Sequence, residues 1–502
     1  MKHLQCATLD GFDAKVVDVE VAFVRALPSF AIVGLAQTSI QESKERIKSA
    51  LSAIDFKFPP QKVTVNLSPS DLRKEGSHFD LPIALLIALQ KTNNTFNDFM
   101  AFGELGLDGK LKDTTTLFAI VLSLAKDNYI KKIIIPNESL SKISKIPGLE
   151  IYPVNTLSEA LDIFIMPQNA KKISSLEALE YPHITINQKR YYYTQTFPLD
   201  FKEIKGQENA KRASLIAACG MHNILFEGSP GCGKSMSAKR LPFILPPMSL
   251  DEILEKAKLD ALEGKEPDFK PQRTFRSPHH TSTPASIFGG GSRNAKIGEV
   301  SLANNGLLFF DEIPHFPKNV LESLREPLED HHLLISRVNS KIKYGTKFLF
   351  VSAMNPCPCG NLLSNTKECK CNELEINRYK KRLSSPLLDR IDIYIQMSEI
   401  STTDKSTISS KEMFEKVKAT FAIQLKRGQT ELNGKLDDQE IRKFCILDQD
   451  SQTVLDQAVS RFELSQRAIN KTLKLARTIA DLDNCEQIKK PHLIEALQYR
   501  FK

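Results

Sequence analysis

The sequence predicts an α/β fold in which a parallel-sheet core is preceded by a separate α+β domain and followed by a helical one. Three observations predict it. Residues 228–235 form a glycine-rich turn between a short apolar run, His222 to Glu227, and a helix start, Ser235 to Leu241. Two later apolar runs, 306–312 and 348–355, read as buried strands that end in polar residues. Strand and helix patterns alternate before this core, and after about residue 408 the apolar residues keep a helical period.

Composition sets the bounds. At about 150 residues per domain, 502 residues suggest roughly three domains. A hydrophobic share of 41% and a charged share of 25% are ordinary for soluble protein. No apolar run is long enough to cross a membrane. Met1 to Thr8 alternates like a strand and lacks a signal-peptide core, which points to the cytoplasm. Nine cysteines, an odd count, argue against a disulfide framework. The net charge of +8, from 68 basic and 60 acidic residues, suits nucleic acid but suits simple solubility equally well.

The elements follow in order. Ala14–Val24 and Lys62–Leu67 alternate apolar and polar residues as strands do, Ser39–Ala53 and Leu81–Gln90 read as helices, and Ile133 to Ile135 before Pro136 reads as a buried strand. These place one domain over 1–165. Residues 166–200 break the pattern and read as a linker, with a basic and tyrosine-rich stretch, Arg190 to Tyr193, that packs onto the next domain or stacks on bases. The core occupies 201–400 and the helical domain 401–502. In the latter, Leu464, Ala468, Leu473, Ala476, Ile479 and Ala480 fall near a 3.6-residue period, and Pro491 opens a last helix through Tyr499.

The turn reads Gly228-Ser229-Pro230-Gly231-Cys232-Gly233-Lys234-Ser235, a phosphate-binding loop of nucleotide hydrolases. Its glycines let backbone N–H groups face a polyphosphate, Lys234 reaches the β and γ phosphates, and the Ser235 hydroxyl can ligate Mg²⁺. Asp311 and Glu312, ending the next strand, suit Mg²⁺ binding and polarisation of the attacking water. Asn355 ends a further strand, where ligands of a parallel sheet sit, and contacts the γ-phosphate or the water, or else caps a turn before Pro356. Arg390, between Asp389 and Asp392, is either a local ion pair or an arginine finger that completes a neighbour's site.

Six motifs carry a resemblance: Gly206 to Arg212, the phosphate loop, Arg276 to His280, Asp311-Glu312, Ala353 to Gly360, and Pro386 to Asp392. In this order they resemble the magnesium-chelatase-like AAA+ ATPases and, more narrowly, the ComM-type competence proteins of bacteria. The resemblance spans essentially the whole chain. It implies a homo-hexameric ring with ATP and Mg²⁺ between subunits. It also implies a DNA-translocating motor for branch migration, acting in homologous recombination during natural transformation. By position, Asn355 matches the first sensor, Arg390 the trans-acting finger and Arg467 the second sensor; Arg477 is a weaker match that could equally be a surface charge. Residues 59–90 resemble a Lon-protease-like (S5-like) domain. Ser77 sits in its turn, but no lysine follows where a catalytic dyad wants one, so no peptidase activity is expected. The alternatives are a metal-insertion or protein-remodelling ATPase like magnesium chelatase itself, and an ATP-driven protease. No Asp-x-Ser-x-Ser signature favours the first, and the missing dyad weakens the second.

Two further features bear on partners. Leu333–Tyr344 reads as a hairpin with Arg337, Lys341 and Lys343 at or near its tip. The family aims such a hairpin into the ring pore, where basic residues would grip DNA phosphates without reading sequence; a solvated outer hairpin is the plain alternative. Phe275 to Arg293 reads as a mobile loop. Cys357, Cys359, Cys369 and Cys371 put four thiols in one short loop, a set that suits structural Zn²⁺ although the two Cys-x-Cys arms are tighter than the usual knuckle.

Overall fold

The computed structural model describes residues 3–92, 98–176, 178–290, 296–336, 341–401 and 404–500, with only the backbone of Ser336 and Lys341. The chain forms two compact units. One comprises Met1–Glu180 with Leu254–Phe269, and the other Tyr181–Ile253 with Lys270–Lys502.

The first unit is built on an eight-stranded mixed sheet. Its order is Ile173–Ser174, Glu150–Val154, Lys132–Pro136, Phe99–Ala101, His3–Asp10, Asp13–Val24, Lys62–Ser68 and Ser29–Val33. The period-2 pattern explains one face: Val63, Val65 and Leu67 are buried, while Thr64 and Asn66 are half-buried. Helix Asp80–Ala88 is apolar all round and buried along eight of its residues, as such a sequence requires. Its first residue, Asp80, accepts hydrogen bonds from Arg46 Nε at 2.7 Å and the Leu105 N–H at 3.2 Å. The Ser77 hydroxyl donates to Glu104, and the Lys74 ammonium donates to the Pro69 carbonyl, so neither is paired with the other.

The second unit holds a five-stranded, all-parallel sheet: β1 Ile224–Gly228, β2 Phe275–Arg276, β3 Leu307–Phe310, β4 Leu349–Met354 and β5 Ile393–Met397, in the order β2-β3-β4-β1-β5. Alternate residues feed two apolar clusters. Ile224, Phe226, Leu307, Phe309, Leu349 and Val351 join one, while Leu225, Leu308, Phe310, Phe348 and Phe350 join the other. Both faces are therefore covered, which is why the strands read as continuous apolar runs.

Three segments differ from the sequence reading. The helices after residue 401, expected as a helical lid, share the first cluster with the sheet, a contact the pattern did not give: Met413, Phe414, Val417, Leu475 and Ile479 join Ile224 and Val351 in it. Part of the expected linker is a hairpin, His183–Ile186 with Lys189–Tyr192, extended by Met248–Ser249. Its turn residues Asn187 and Gln188 both have positive φ (48° and 64°), the hairpin geometry usually signalled by Asn-Gly. Tyr191 meets Phe421 edge-on at 5.1 Å, so the tyrosines pack within this unit. Residues 275–290, expected as a loop, supply the edge strand β2 and a short helix, Pro284–Phe288; Arg293 lies outside the described residues.

Arg477, on helix Gln466–Leu482, is buried rather than a surface charge. It reaches Asp481 at 3.0 Å and the Glu486 carbonyl at 2.7 Å, and Asp481 also takes bonds from Arg427 and, at 2.8 Å, Asn433. Breaking such a pair strands a buried charge at a cost of about 3–5 kcal/mol. Asp481→Ala is expected to lower the unfolding free energy of this unit by that much, checked by the midpoint and slope of a denaturant titration; an unchanged midpoint would contradict it. No helix among the described residues is long and apolar enough to cross a membrane.

Candidate active site

The carboxyl ends of β1, β3 and β4 meet at one point, where a parallel sheet presents its ligand groups. β1 runs into the phosphate loop at Gly228. A Cβ there would lie 2.6 Å from Cys232 Sγ and 2.9 Å from the Met397 carbonyl, so only glycine lets the loop fold so tightly. Gln207 ties the loop down by donating from Nε2 to the carbonyls of Cys232 (3.1 Å) and Ser398 (2.5 Å).

Lys234, from the helix after β1, has its Nζ on the carbonyls of Gly228 (2.5 Å) and Ser229 (3.0 Å) and on Asn355 Oδ1 (3.1 Å). Asn355 ends β4, so lysine and asparagine meet although 121 residues apart. Burial lowers the Lys234 pKa, opposed by Cys232, Asp311, Glu312 and Glu227. The Ser235 hydroxyl donates to Asp311 Oδ2 at 2.8 Å. These two hard oxygens are the type and pairing that Mg²⁺ takes from protein in such sites. Glu312 is exposed, with a left-handed backbone (φ 50°) and its N–H bonded to Asp311 Oδ1 at 3.0 Å. The Asp311 carboxylate is thus engaged and the Glu312 carboxylate faces solvent, the division that metal binding and water activation call for.

Arg390 and Arg467 lie elsewhere. β1 and β5 pair in parallel from Ile224↔Ile393 to Gly228↔Met397, so Arg390, just before β5, sits at the amino end of the sheet. Five strand residues at about 3.3 Å each put it about 15 Å from the phosphate loop. Its backbone confirms the position, since the Arg390 carbonyl accepts from Asn223, the residue before β1, at 2.8 Å. Arg467 and Arg390 both pair with Glu329.

The four cysteines converge. Their sulfurs all lie within 4.8 Å of one another, with Cys357–Cys359 at 3.4 Å and Cys369 3.7 Å from each. Tetrahedral Zn²⁺ at about 2.3 Å from each sulfur needs S···S edges of about 3.8 Å, so the set fits the ion. Backbone N–H groups of Asn361 and Lys370 push the Cys359 thiol down to about 6, while Cys369 and Cys371, beside the other thiols, are shifted up. The loop also touches the nucleotide site: a Cβ on Gly360 (φ 81°) would lie 2.8 Å from Pro230. The loop leads into helix Glu373–Lys380, whose Tyr379 hydroxyl lies beside the Asn355 backbone.

The basic hairpin forms as a two-stranded sheet, His332–Ser336 with Lys341–Gly345. Leu333 and Tyr344 face inward, and Lys343 and Leu334 are exposed on the other face. Arg337 and the Lys341 side chain lie outside the described residues.

Three residues escaped sequence reasoning. Glu227 is fully buried at the end of β1, bonded by the Tyr394 hydroxyl and 3.1 Å from Lys380; a lone acid in an apolar strand was its signal. Gly360 ends the Ala353 to Gly360 motif, but nothing local showed its approach to Pro230; Glu329 carried no local signal, because its partners Arg390 and Arg467 lie 61 and 138 residues away in sequence.

Fold and loop define the class, a phosphate-loop protein with a five-stranded parallel sheet. Comparison with known proteins agrees. Family models described as "Magnesium chelatase, subunit ChlI", "Subunit ChlI of Mg-chelatase" and "Magnesium chelatase, subunit ChlI C-terminal" match residues 200–405, 19–139 and 407–500. The chain is similar to Competence protein ComM of Haemophilus influenzae, 36% identical over 98% of this chain and 95% of that one. It is equally similar to the Escherichia coli protein YifB, at 36% over the same shares, and 31% identical to a Mycobacterium tuberculosis protein over 94% of this chain and 93% of that one. The chain belongs to the magnesium-chelatase-like AAA+ ATPase family, in its ComM-type branch.

Gly360→Ala adds both a clash with Pro230 and a strained φ, together of order 1–3 kcal/mol. It is expected to weaken ATP binding about tenfold in a fluorescent-nucleotide titration; wild-type affinity would show that the cysteine loop does not support the phosphate loop.

Proposed function

We propose that the chain is an ATP-hydrolysing ring motor acting on DNA, a branch-migration helicase of homologous recombination during natural transformation, assembled as a homo-hexamer in the cytoplasm. The observation that carries the reading is the separation of Arg390 from the phosphate loop by the length of the sheet. An arginine finger at that distance serves only a neighbour's nucleotide, so the active unit is a pair of subunits. The printed name of the Haemophilus relative supplies the link to competence.

In this reading Gly228 to Lys234 cradle the phosphates of ATP, and Ser235 and Asp311 hold Mg²⁺, which neutralises charge on the β and γ oxygens. Glu312 accepts a proton from the attacking water. Asn355, held on Lys234, orients that water against the γ-phosphate. Arg390 and Arg467 stabilise charge on the neighbour's transferring phosphoryl group. Lys343, with Arg337 and Lys341, contacts DNA phosphates from the hairpin. The unit at the N-terminus, centred on residues 1–165, is a Lon-protease-like domain without peptidase activity. The 166–200 segment connects it to the 201–400 core, and the helices of 401–502 form the lid. Cys357, Cys359, Cys369 and Cys371 hold a structural Zn²⁺ that fixes the loop between Asn355 and Tyr379.

Forked or single-stranded DNA is expected to raise ATP turnover and to bind more weakly as salt increases. Turnover indifferent to DNA would instead favour a metal-insertion or protein-remodelling ATPase. Lys234→Ala should abolish hydrolysis. Arg390→Ala should be inactive alone, yet regain turnover when mixed with Glu312→Gln subunits; no recovery in the mixture would refute a shared site. Cys369→Ser should lose bound zinc by elemental analysis together with ATPase activity, and a zinc-free wild-type protein with full turnover would refute the metal's role.

A further inference from the structure

Glu329 occupies a position that no motif points to. It lies on the short helix Arg325–Asp330 and is 40% exposed. Its two oxygens are divided between two arginines: Oε2 accepts from Arg390 and Oε1 from Arg467. The arginines come from different elements, one following the short helix Ser385–Leu388 and one at the start of helix Gln466–Leu482. Among the described residues, their remaining side-chain hydrogen bond is that from Arg390 to the Pro386 carbonyl, at 2.5 Å.

Arg325 and Arg390 share the lining of a cavity of about 720 Å³ with three carboxylates, those of Glu322, Glu326 and Glu329. The Arg390 side chain is only 9% exposed, and its Nε is buried without an acceptor; so is the Nε of Arg325, whose Nη1 reaches Glu322 at 3.1 Å. Burial and the Arg325 charge both disfavour the Arg390 cation, against Asp389, Asp330 and Glu322. Cations held this way gain from a denser negative charge than one carboxylate provides.

We propose that Glu329 is a built-in substitute for the neighbouring subunit's γ-phosphate. In the free chain its carboxylate holds Arg390 and Arg467 side by side in the arrangement they need. On assembly, the γ-phosphoryl oxygens of the neighbour's ATP take both guanidinium groups and Glu329 is released to solvent. The exchange runs in this direction for two reasons. A terminal phosphate offers three oxygens and about twice the charge of a carboxylate. The Glu329 pairs are exposed on the Arg467 side, where ion pairs are weak. Glu329 is thus a positioning residue that competes with substrate, and it makes ATP-dependent assembly reversible. The inference rests on the shared-site reading above.

Glu329→Gln in the full chain keeps size and removes the competing charge. Steady-state ATPase is measured against ATP concentration for the wild type, Glu329→Gln, Arg390→Ala and the double variant. A fall in KM of about 3- to 10-fold without loss of kcat is expected for Glu329→Gln; in the inactive Arg390→Ala background the readout is a fluorescent-nucleotide titration, where adding Glu329→Gln should give no gain in ATP affinity. A fall in kcat with KM unchanged, or wild-type kinetics, would overturn the substitute role. Arg390→Ala by itself tests the other reading: if it keeps wild-type turnover, the shared site fails, whatever Glu329 does. Because Glu329 is exposed, folding is not at stake, and Glu329→Ser should reproduce the fall in KM.

Discussion

Everything in the second unit depends on the parallel pairing of β1 with β5. That pairing sends Lys234 out at one end of the sheet and leaves Arg390 at the other. The strands cannot slip to close the gap, because their residues alternate between two apolar clusters and a one-residue shift would invert every side chain. Under the proposed reading, one chain carries the phosphate-binding half of a site on one end and the charge-stabilising half on the other. Hydrolysis then becomes a property of contact between subunits, and a ring coordinates turnover through the same arginines that assemble it.

The phosphate loop is held from two sides. Gln207 binds its carbonyls from one, and the cysteine loop leans on Pro230 through Gly360 from the other. Asn355 stands where these supports meet, with its side chain on Lys234 and its backbone beside the Tyr379 hydroxyl. Under the proposed reading, a metal in the four-sulfur cluster would brace Asn355 and so link metal content to turnover. The buried Glu227 beneath the loop adds negative charge that helps keep Lys234 protonated despite its burial.

Much of this was legible in the sequence where chemistry and secondary structure coincide. The phosphate loop needs its own residues in one short turn, and Asp311 and Asn355 end long apolar runs, so their places followed from pattern alone. The period of Leu464 to Ala480 gave helix Gln466–Leu482 to within two residues. Features set by distant contacts were not legible. Asn187-Gln188 makes a hairpin turn without glycine, so a hairpin read as linker. Arg477 looked like any helix charge until Asp481, Arg427 and Asn433 closed round it. The helices after residue 401 are amphipathic, but the pattern does not say that their apolar faces belong to the core sheet. Glu329 is one acid among many until Arg390 and Arg467 arrive on it.

The central claim is that one chain cannot complete its own catalytic site. The dependence of ATPase activity per subunit on protein concentration tests it most directly. The account predicts that activity per subunit falls towards zero on dilution, in step with loss of assemblies seen by light scattering, and returns on reconcentration. Activity per subunit that stays constant through complete dissociation to monomers would contradict it.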